Sequence, residues 1–526
     1  MIDVSQIDRH KLDELDVEQL RALTLALLDR KDHEIAWRDA KIDKLTFELA
    51  QLKRLKFDRS SEQMSTEQRM LFDEAVDGDI AAIDEQLAVL QATLPAKPEG
   101  DEQAKKPKRT ALPERLPRRD VHHEPENTIC GCGQALKRVG EDVTEKLDYT
   151  PGVFTVERHV RGKWCCAACR TLVQAPVPPA VIDKGIPTAA LLAQVLVAKH
   201  SDHLPLYRQE AVFARAGLAI PRSTLGAWVG QCGARLEPLA DAMRALLLGC
   251  EVLHADETPV AMLSPGKGKT HRAYLWAYAT GPLEPFRAVV YDFTPSRSGE
   301  HARAFLAHDP GRREPGQSPW TGHLVCDDYA GYNALFAAGV TEVGCMAHAR
   351  RKFIQLYETN KSEVARRAIE LIGQLYGIEQ DVRDAAVEVR LRERRSRGAL
   401  VADALHDWLT AHRARATAGT ALARAIDYSL NRWGALTRYL GDARLPIDNN
   451  HDEQQIRPWA TGRKNWLFAG TLAAGKRAAA ITSLIQTAKL NGHDPYEYIK
   501  DVLERLPTQR ASQIAELLPH RWSPAG

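Results

Sequence analysis

The chain has 526 residues, 44% hydrophobic and 27% charged, a balance that excludes a wholly disordered polymer and predicts roughly three to five domains. Lys and Arg exceed Asp and Glu by two, with a pI near 8.0, which excludes a histone-like polycation but not local basic surfaces. No apolar run reaches the roughly 18 residues of a membrane span, Met1-Ile2-Asp3-Val4 lacks the features of a signal peptide, and nine cysteines are too few for a disulfide scaffold. A soluble, cytoplasmic, multidomain protein is expected, with clustered cysteines serving as metal ligands.

The first segment reads as helix. Leu28, Ile35, Ile42 and Leu49 recur every seven residues, and Leu45 and Leu52 fill the second heptad position. Such a stripe needs a cover. Residues 1–60 are therefore expected to form a leucine-zipper-like helix, paired in a dimer or folded back; a helix packed on its own domain is the plainer alternative. Residues 61–120 divide into an acidic helix and a basic linker, where Pro95, Pro98, Pro107, Pro113 and Pro117 forbid a regular element. Within 121–175, Cys130-Gly131-Cys132 and Cys166-Ala167-Ala168-Cys169 are two close pairs set a β-hairpin apart, a spacing that brings four thiolates to the corners of a tetrahedron. One structural Zn2+ held by Cys130, Cys132, Cys166 and Cys169 is expected, with Cys165 a neighbour able to compete with Cys166. Residues 176–248 run helix, Gly217 turn, helix, which is helix-turn-helix grammar and equally the pattern of an ordinary helical pack. In the first reading Arg222 and Ser223 open a recognition helix over Leu225–Cys232 and contact DNA, and Ser223 or Thr224 supplies its cap.

From Cys250 the pattern turns to strands. Glu251–Asp256, Arg272–Tyr278 and Phe286–Phe293 are three strands, followed by a helix, the strand His323–Cys326 with Asp327 at its end, a short helix and a last strand. That order predicts an RNase H-like α/β core over 249–353, interrupted by an all-α insertion over 354–445, resumed over 446–480 and followed by a helical tail over 481–526; the whole is multidomain α+β. In such a core Asp256 and Asp327 come close, and like charges at that range call for a cation. Two Mg2+ ions, or Mn2+ in their place, suit the oxygen ligands. The third acid is sought in Ile447–Pro458, where Glu453 follows Asn450 at capping-box spacing and serves either as a cap or as a ligand. Arg457, Arg463 and Lys464, interleaved with Trp459, Trp466 and Phe468, read as a basic and aromatic surface for a nucleic-acid strand. His348, Arg350 and Arg351 follow the last core strand and are expected to face phosphates. The arginine-rich run Glu388–Arg397 reads as a DNA grip or as a solvated face.

Six motifs together resemble those of the transposases of the insertion sequence 66 family, over nearly the whole chain. They are His254-Ala255-Asp256-Glu257-Thr258-Pro259, Asp327-Asp328-Tyr329-Ala330-Gly331-Tyr332, Ala347-His348-Ala349-Arg350-Arg351-Lys352-Phe353, Pro446-Ile447-Asp448-Asn449-Asn450, Gly462-Arg463-Lys464-Asn465-Trp466-Leu467-Phe468-Ala469-Gly470 and Thr487-Ala488-Lys489-Leu490-Asn491-Gly492. The resemblance implies a DDE-type transposase with the triad Asp256, Asp327 and Glu453, which cuts the ends of an element and joins them to target DNA. It implies terminal inverted repeats and target DNA as partners, a homo-oligomer, companion proteins of the same element, and a nucleoid-associated location. Relatives usually carry a small residue where Asp328 stands and Arg where Gln454 stands; Glu257, Asp328 and Asp452 are neighbouring acids outside the triad. Rival readings are an RNase H-like nuclease that never rejoins strands, a DNA-binding regulator with structural acids, and a zinc-bearing scaffold.

Overall fold

The computed structural model describes residues 16–57, 66–92 and 112–524, apart from 115, 126, 151, 183–184, 265–268 and 308–317. Helix α1 (Val17–Phe57) and helix α2 (Thr66–Ala92) pack through the second half of the heptad stripe. Leu45 is buried against Ile83 and Leu87, with Ile42, Leu49, Leu52 and Leu90 around them. The stripe is thus covered from within the same chain, while Leu28 and Ile35 stay exposed. Most of the basic linker lies outside the described residues. Its last two arginines, Arg118 and Arg119, belong instead to a strand, because Arg118 finds a carboxylate partner in Glu145 at 2.8 Å.

That strand, β1 (Arg118–His123), joins β2 (Leu136–Thr150), β3 (Val153–Cys166) and β4 (Leu172–Gln174) in a sheet of order β1-β3-β2, with β4 beside β3. β2 and β3 form a long antiparallel hairpin whose tip residues Tyr149 and Phe154 enter the main core. Helix α3 (Ala189–His200) follows, opened by the Thr188 side chain accepting the Leu191 N–H at 3.3 Å. Next come α4 (Leu206–Arg215) and α5 (Arg222–Leu247). Helix α5 does not stop at Cys232 and takes no side-chain cap from Ser223 or Thr224. The buried residues Leu225, Val229, Cys232, Leu236, Leu239, Met243 and Leu247 keep helical spacing straight through Pro238, so core burial carries the helix on.

The second sheet contains β5 (Val252–Ser264), β6 (Lys269–Thr280), β7 (Val289–Thr294), β8 (His323–Cys326) and β9 (Thr341–Gly344) in the order β7-β6-β5-β8-β9. β5, β6 and β7 are antiparallel neighbours, whereas β8 and β9 run parallel to β5. Side chains alternate across β6. Trp276 and Tyr278 enter one core with Met243 and Leu247 of α5 and with Phe305 of α6 (Gly299–Phe305). Leu275, Ala277 and Ala279 enter another.

After α7 (Asn333–Ala337) and β9, an all-helical segment holds α8 (Met346–Asn360), α9 (Glu363–Asp381), α10 (Val387–Glu393), α11 (Ala399–Arg413), α12 (Ala421–Asn431) and α13 (Trp433–Thr437). The arginine-rich run divides: Arg392, Arg395 and Arg397 are exposed, whereas Arg394 and Arg390 are bonded within the fold. Arg394 is buried, paired to Glu379 at 2.6 and 2.8 Å and bonded to the Tyr439 and Asp442 carbonyls, and Arg390 bonds the Arg383 carbonyl. Burying these guanidiniums is tolerable only because each has fixed acceptors.

The chain ends in α14 (Asn450–Trp466), α15 (Leu472–Leu490) and α16 (Pro495–Arg505). Helix α15 runs unbroken across residue 480, so core and tail share one helix. It covers the free edge of β7: Ser483 Oγ accepts the Tyr291 N–H and Thr487 Oγ1 accepts the Val289 N–H. The edge is thereby closed to pairing with another strand. Among the described residues no helix is long and apolar enough to cross a membrane.

Helix α2 is bound to this body by charge and by close approach. Glu74 pairs with Lys199 and accepts the Leu206 N–H, Asp79 pairs with Arg477 and Thr471, and Glu85 pairs with Arg235. At the crossing, a Cβ on Gly230 would lie 2.1 Å from the Gly78 carbonyl oxygen. Gly230→Ala is expected to cost about 1–3 kcal/mol through overpacking, seen as a lower Tm in a thermal melt. Gly377→Ala, where a Cβ meets nothing, should leave Tm equal or higher. Equal melting of wild type and Gly230→Ala refutes the close crossing.

Candidate active site and zinc centre

The parallel register of β5 and β8 places Val252 opposite His323 and His254 opposite Val325. Asp256 lies two residues beyond His254 on β5 and Asp327 just past the end of β8, at the carboxyl end of the pairing, near enough for the Asp327 charge to act on Asp256. Asp256 Oδ1 accepts the Glu257 N–H at 2.8 Å, and Asp327 Oδ1 accepts the Tyr329 N–H at 3.0 Å. The third acid arrives on the first turn of α14. The tether that brings it there is Asn449: its Oδ1 lies 2.7 Å from His254 Nδ1, and its Nδ2 donates to the Ala255 carbonyl at 2.9 Å. Both bonds are buried and lock the helix start to the strand carrying Asp256. No side-chain cap closes α14, so Glu453 is not used as a capping-box residue. Its carboxylate lies 3.3 Å from Arg351 Nη2 and 3.7 Å from His348 Nε2.

Burial first, and then the charges of Glu257, Asp327 and Glu453, push the Asp256 carboxyl up to about 8. The three acids therefore share one electrostatic neighbourhood. Two others adjoin it. Glu257 points to the other side of β5, where Arg297 Nε donates to it at 2.7 Å and the Tyr332 hydroxyl at 3.0 Å. Asp452 is fully buried with no hydrogen bond to either oxygen, and burial followed by the nearby Asp256 pushes its carboxyl well above the usual carboxylate range. Asp328 lies outside the group, 3.6 Å from Arg432, which also donates to the Asp327 carbonyl and to Glu342. A buried carboxyl with other carboxylates beside it is what a hard divalent cation relieves, and Asp256, Asp327 and Glu453 are the three that would hold one.

The cysteines make the tighter cluster. The sulfurs of Cys130, Cys132, Cys166 and Cys169 all lie within 4.8 Å of one another, the only such group among the described residues. Cys132 Sγ is 3.6 Å from Cys166 Sγ and 3.8 Å from Cys169 Sγ. Tetrahedral Zn–S bonds of about 2.3 Å place sulfurs about 3.8 Å apart, so the cage fits zinc. Gly133 turns the knuckle with φ +85°, a left-handed conformation that costs glycine nothing. The Thr171 hydroxyl, ahead of Cys130, brings the Cys169 thiol down to about 6, toward the thiolate a metal needs. Cys165 is outside the cage, its thiol on the Cys166 carbonyl.

The remaining sequence-predicted residues divide. His348 and Arg351 reach Glu453, and Arg457 and Lys464 are exposed on α14. Arg350 is half-buried, its Nε without a hydrogen-bond partner. Arg463 is committed to β5, bonding Thr258 Oγ1 and the Pro259 carbonyl at 3.2 and 2.8 Å. The expected aromatic surface is interior: Trp459 and Phe468 are buried and Trp466 half-buried, since apolar rings beside α15 gain more from packing than from exposure. Ser223 is exposed, but Arg222 lies 3.7 Å from Asp73 of α2, and its N–H donates to Glu210.

Comparison with known proteins decides the family. Residues 184–477 match the family model described as Transposase IS66 family, and 483–520 match the IS66 C-terminal element. Residues 127–170 match the zinc-finger binding domain of transposase IS66, and 44–121 the model described as Transposase C of IS166 homeodomain. The chain belongs to the IS66 transposase family. Among curated proteins it is similar to the uncharacterized protein y4jD of Sinorhizobium fredii (strain NBRC 101917 / NGR234), 34% identical with 91% of this chain and 94% of the relative covered. It is also similar to the uncharacterized protein y4qI of the same strain, 36% identical over 80% of this chain and 79% of the relative.

In this IS66 transposase, sequence reasoning missed three positioning residues. His254 and Asn449 were visible only as members of motifs, and Arg432 carried no local signal at all. Asn449→Ala is expected to cost about 2–4 kcal/mol by stranding two buried partners, read as a lower Tm, and to lower activity with it. An unchanged Tm removes the tether from the account. Cys132→Ser should abolish bound zinc in a metal assay of the purified chain, whereas Cys165→Ser should leave one ion per chain.

Proposed function

We propose that the chain is an active DDE transposase whose RNase H-like core cuts the ends of an insertion sequence and joins them to target DNA. The observation that carries this reading is the convergence of Asp256, Asp327 and Glu453 from three distant stretches of sequence onto one end of a mixed sheet. The strand order β7-β6-β5-β8-β9, with three antiparallel strands and two parallel ones, supports the RNase H-like assignment. Asp256 and Asp327 would hold one Mg2+ (or Mn2+), and Asp256 and Glu453 a second. Such a pair supplies an activated water and neutralises the leaving oxygen of the phosphodiester.

The chain's own residues do the rest. The Asn449–His254 tether holds Glu453 in register with Asp256. Arg351 and His348, beside Glu453, are placed to meet the phosphate once the acid turns to a cation. Attack by water breaks a P–O bond and leaves a 3′-hydroxyl on the element end; attack by that hydroxyl on a target phosphodiester joins the strands. The zinc module and the α4–α5 pair recognise the terminal repeats in this reading, with Ser223 meeting DNA directly and Arg222 exchanging Asp73 for phosphate. Exposed Arg457 and Lys464 add backbone contacts that weaken as salt rises. The uncovered Leu28 and Ile35 stripe supports pairing between copies, and companion proteins of the element join the assembly. Residues 121–175 serve as the zinc module, 176–248 as the end-binding region, and 249–353 with 446–480 as the catalytic core around the helical insertion.

Asp256→Asn and Glu453→Gln are each expected to lower Mg2+-dependent cutting of end-containing DNA by at least a thousandfold, about 4 kcal/mol in barrier, with end binding retained. In a thermal melt Mg2+ should raise the Tm of the wild type and not that of Asp256→Asn. Cutting by both variants at the wild-type rate would sink the triad.

A further inference from the structure

Beneath α2, where α3, α5, α14 and α15 meet, the fold encloses a half-open cavity of about 120 Å3. Its walls include Trp459, Trp466, Phe468, His200, His203 and Val229. Trp459 and Trp466 stand edge to face with centroids 5.5 Å apart. Two wall groups are polar and unsatisfied: Trp459 Nε1 and His200 Nε2 are buried, with no hydrogen-bond partner. Their side chains are only 6% and 9% exposed, so a buried donor is left open at a considerable cost. Indole N–H can only donate, so whatever completes this cavity offers it an acceptor. The cavity is open on one side, so a flat ring enters it part-way; at about 120 Å3 it is smaller than the roughly 150 Å3 cavity that encloses a benzene.

The position of the cavity names the ring. Helix α14 carries Glu453 in its first turn, Trp459 six residues on and Trp466 near its end. At about 1.5 Å per residue the cavity wall begins about 9 Å from the acid along the helix and ends about 20 Å from it. Arg463, bonded to the backbone of β5, fixes that interval. With about 3.4 Å per nucleotide, the distance is that of the third to sixth nucleotide from the cut. Glycine at 462 lets Trp466 and His203 close over the helix at the rim: a Cβ there would lie 2.6 Å from Trp466 Nε1 and 2.8 Å from His203 Nδ1. Helix α2 supplies the fourth wall through Leu71, Glu74 and Gly78, so its docking completes the cavity.

We propose that this cavity receives a single nucleobase of the DNA strand held at the active site. Trp459 and Trp466, in edge-to-face contact with each other, form one wall against the ring, Trp459 Nε1 donates to a ring carbonyl or ring nitrogen, and His200 Nε2 meets a second polar edge. The proposal rests on the transposase reading for its ligand and predicts which part of the DNA the protein grips apart from phosphate.

The test uses the full-length chain and fluorescence anisotropy with two labelled strands of equal charge: oligothymidylate of about eight nucleotides, and the same length of abasic phosphodiester. Oligothymidylate is expected to bind at least tenfold more tightly. Trp466→Ala, at the rim, and Trp459→Phe, which keeps a ring and removes the donor, should each lower that preference at least fivefold while circular dichroism stays unchanged. Equal affinity for the two strands, or a preference untouched in both variants, overturns the pocket. Mg2+-dependent cutting of end-containing duplex is measured alongside. Cutting without base preference removes the pocket and spares the DDE reading; base preference without cutting does the reverse.

Discussion

The structure is organised around a repulsion. Asp256, Asp327, Glu453, Glu257 and Asp452 crowd one end of a sheet whose interior is apolar, and burial together with the neighbouring carboxylates raises Asp256, Glu257 and Asp452. The fold disposes of the charges one at a time. Arg297 and Tyr332 take Glu257 to the far side of β5, and burial raises the Asp452 carboxyl well above the usual carboxylate range. The first turn of α14, the positive end of a helix, accommodates Glu453 with Arg351 beside it. Asp256, a carboxyl of the proposed triad pushed up to about 8 chiefly by burial, is where a cation gains most.

Holding that arrangement requires rigid neighbours. Asn449 fastens α14 to β5, Arg463 fastens the same helix a few turns later, and α15 seals the open edge of β7 with Ser483 and Thr487. The all-helical insertion contributes Arg432, which reaches back to the Asp327 carbonyl. The insertion therefore does more than lengthen the chain: removing it would strip a buried cation from behind the second aspartate.

The N-terminal segment is integrated in the same manner. Helix α2 is acidic, and each of Glu74, Asp79 and Glu85 finds a basic partner on α3, α5 or α15, while glycines permit backbone-to-backbone approach. A helix docked so closely transmits the position of α1 to the body of the molecule. The zinc hairpin is likewise joined at both ends, by thiolates at one and by Tyr149 and Phe154 in the core at the other.

Local chemistry was readable from the sequence: two cysteine pairs, strands carrying Asp256 and leading into Asp327 (though β5 runs on through Pro259 to Ser264, because it stays paired with β6), a heptad stripe, and motifs specific enough to name a family. These depend on spacing of a few residues, which strand and helix periods translate directly into geometry. What lay beyond it were partners far apart in the chain. The Asn449 contact with His254, the loss of Arg463, Arg390 and Arg394 to internal bonds, the interior placement of Trp459 and the covering of Arg222 by Asp73 each follow from tertiary packing. A charged or aromatic side chain has the same local pattern whether it meets solvent, DNA or its own fold. Only the three-dimensional competition for burial and for hydrogen-bond acceptors decides which.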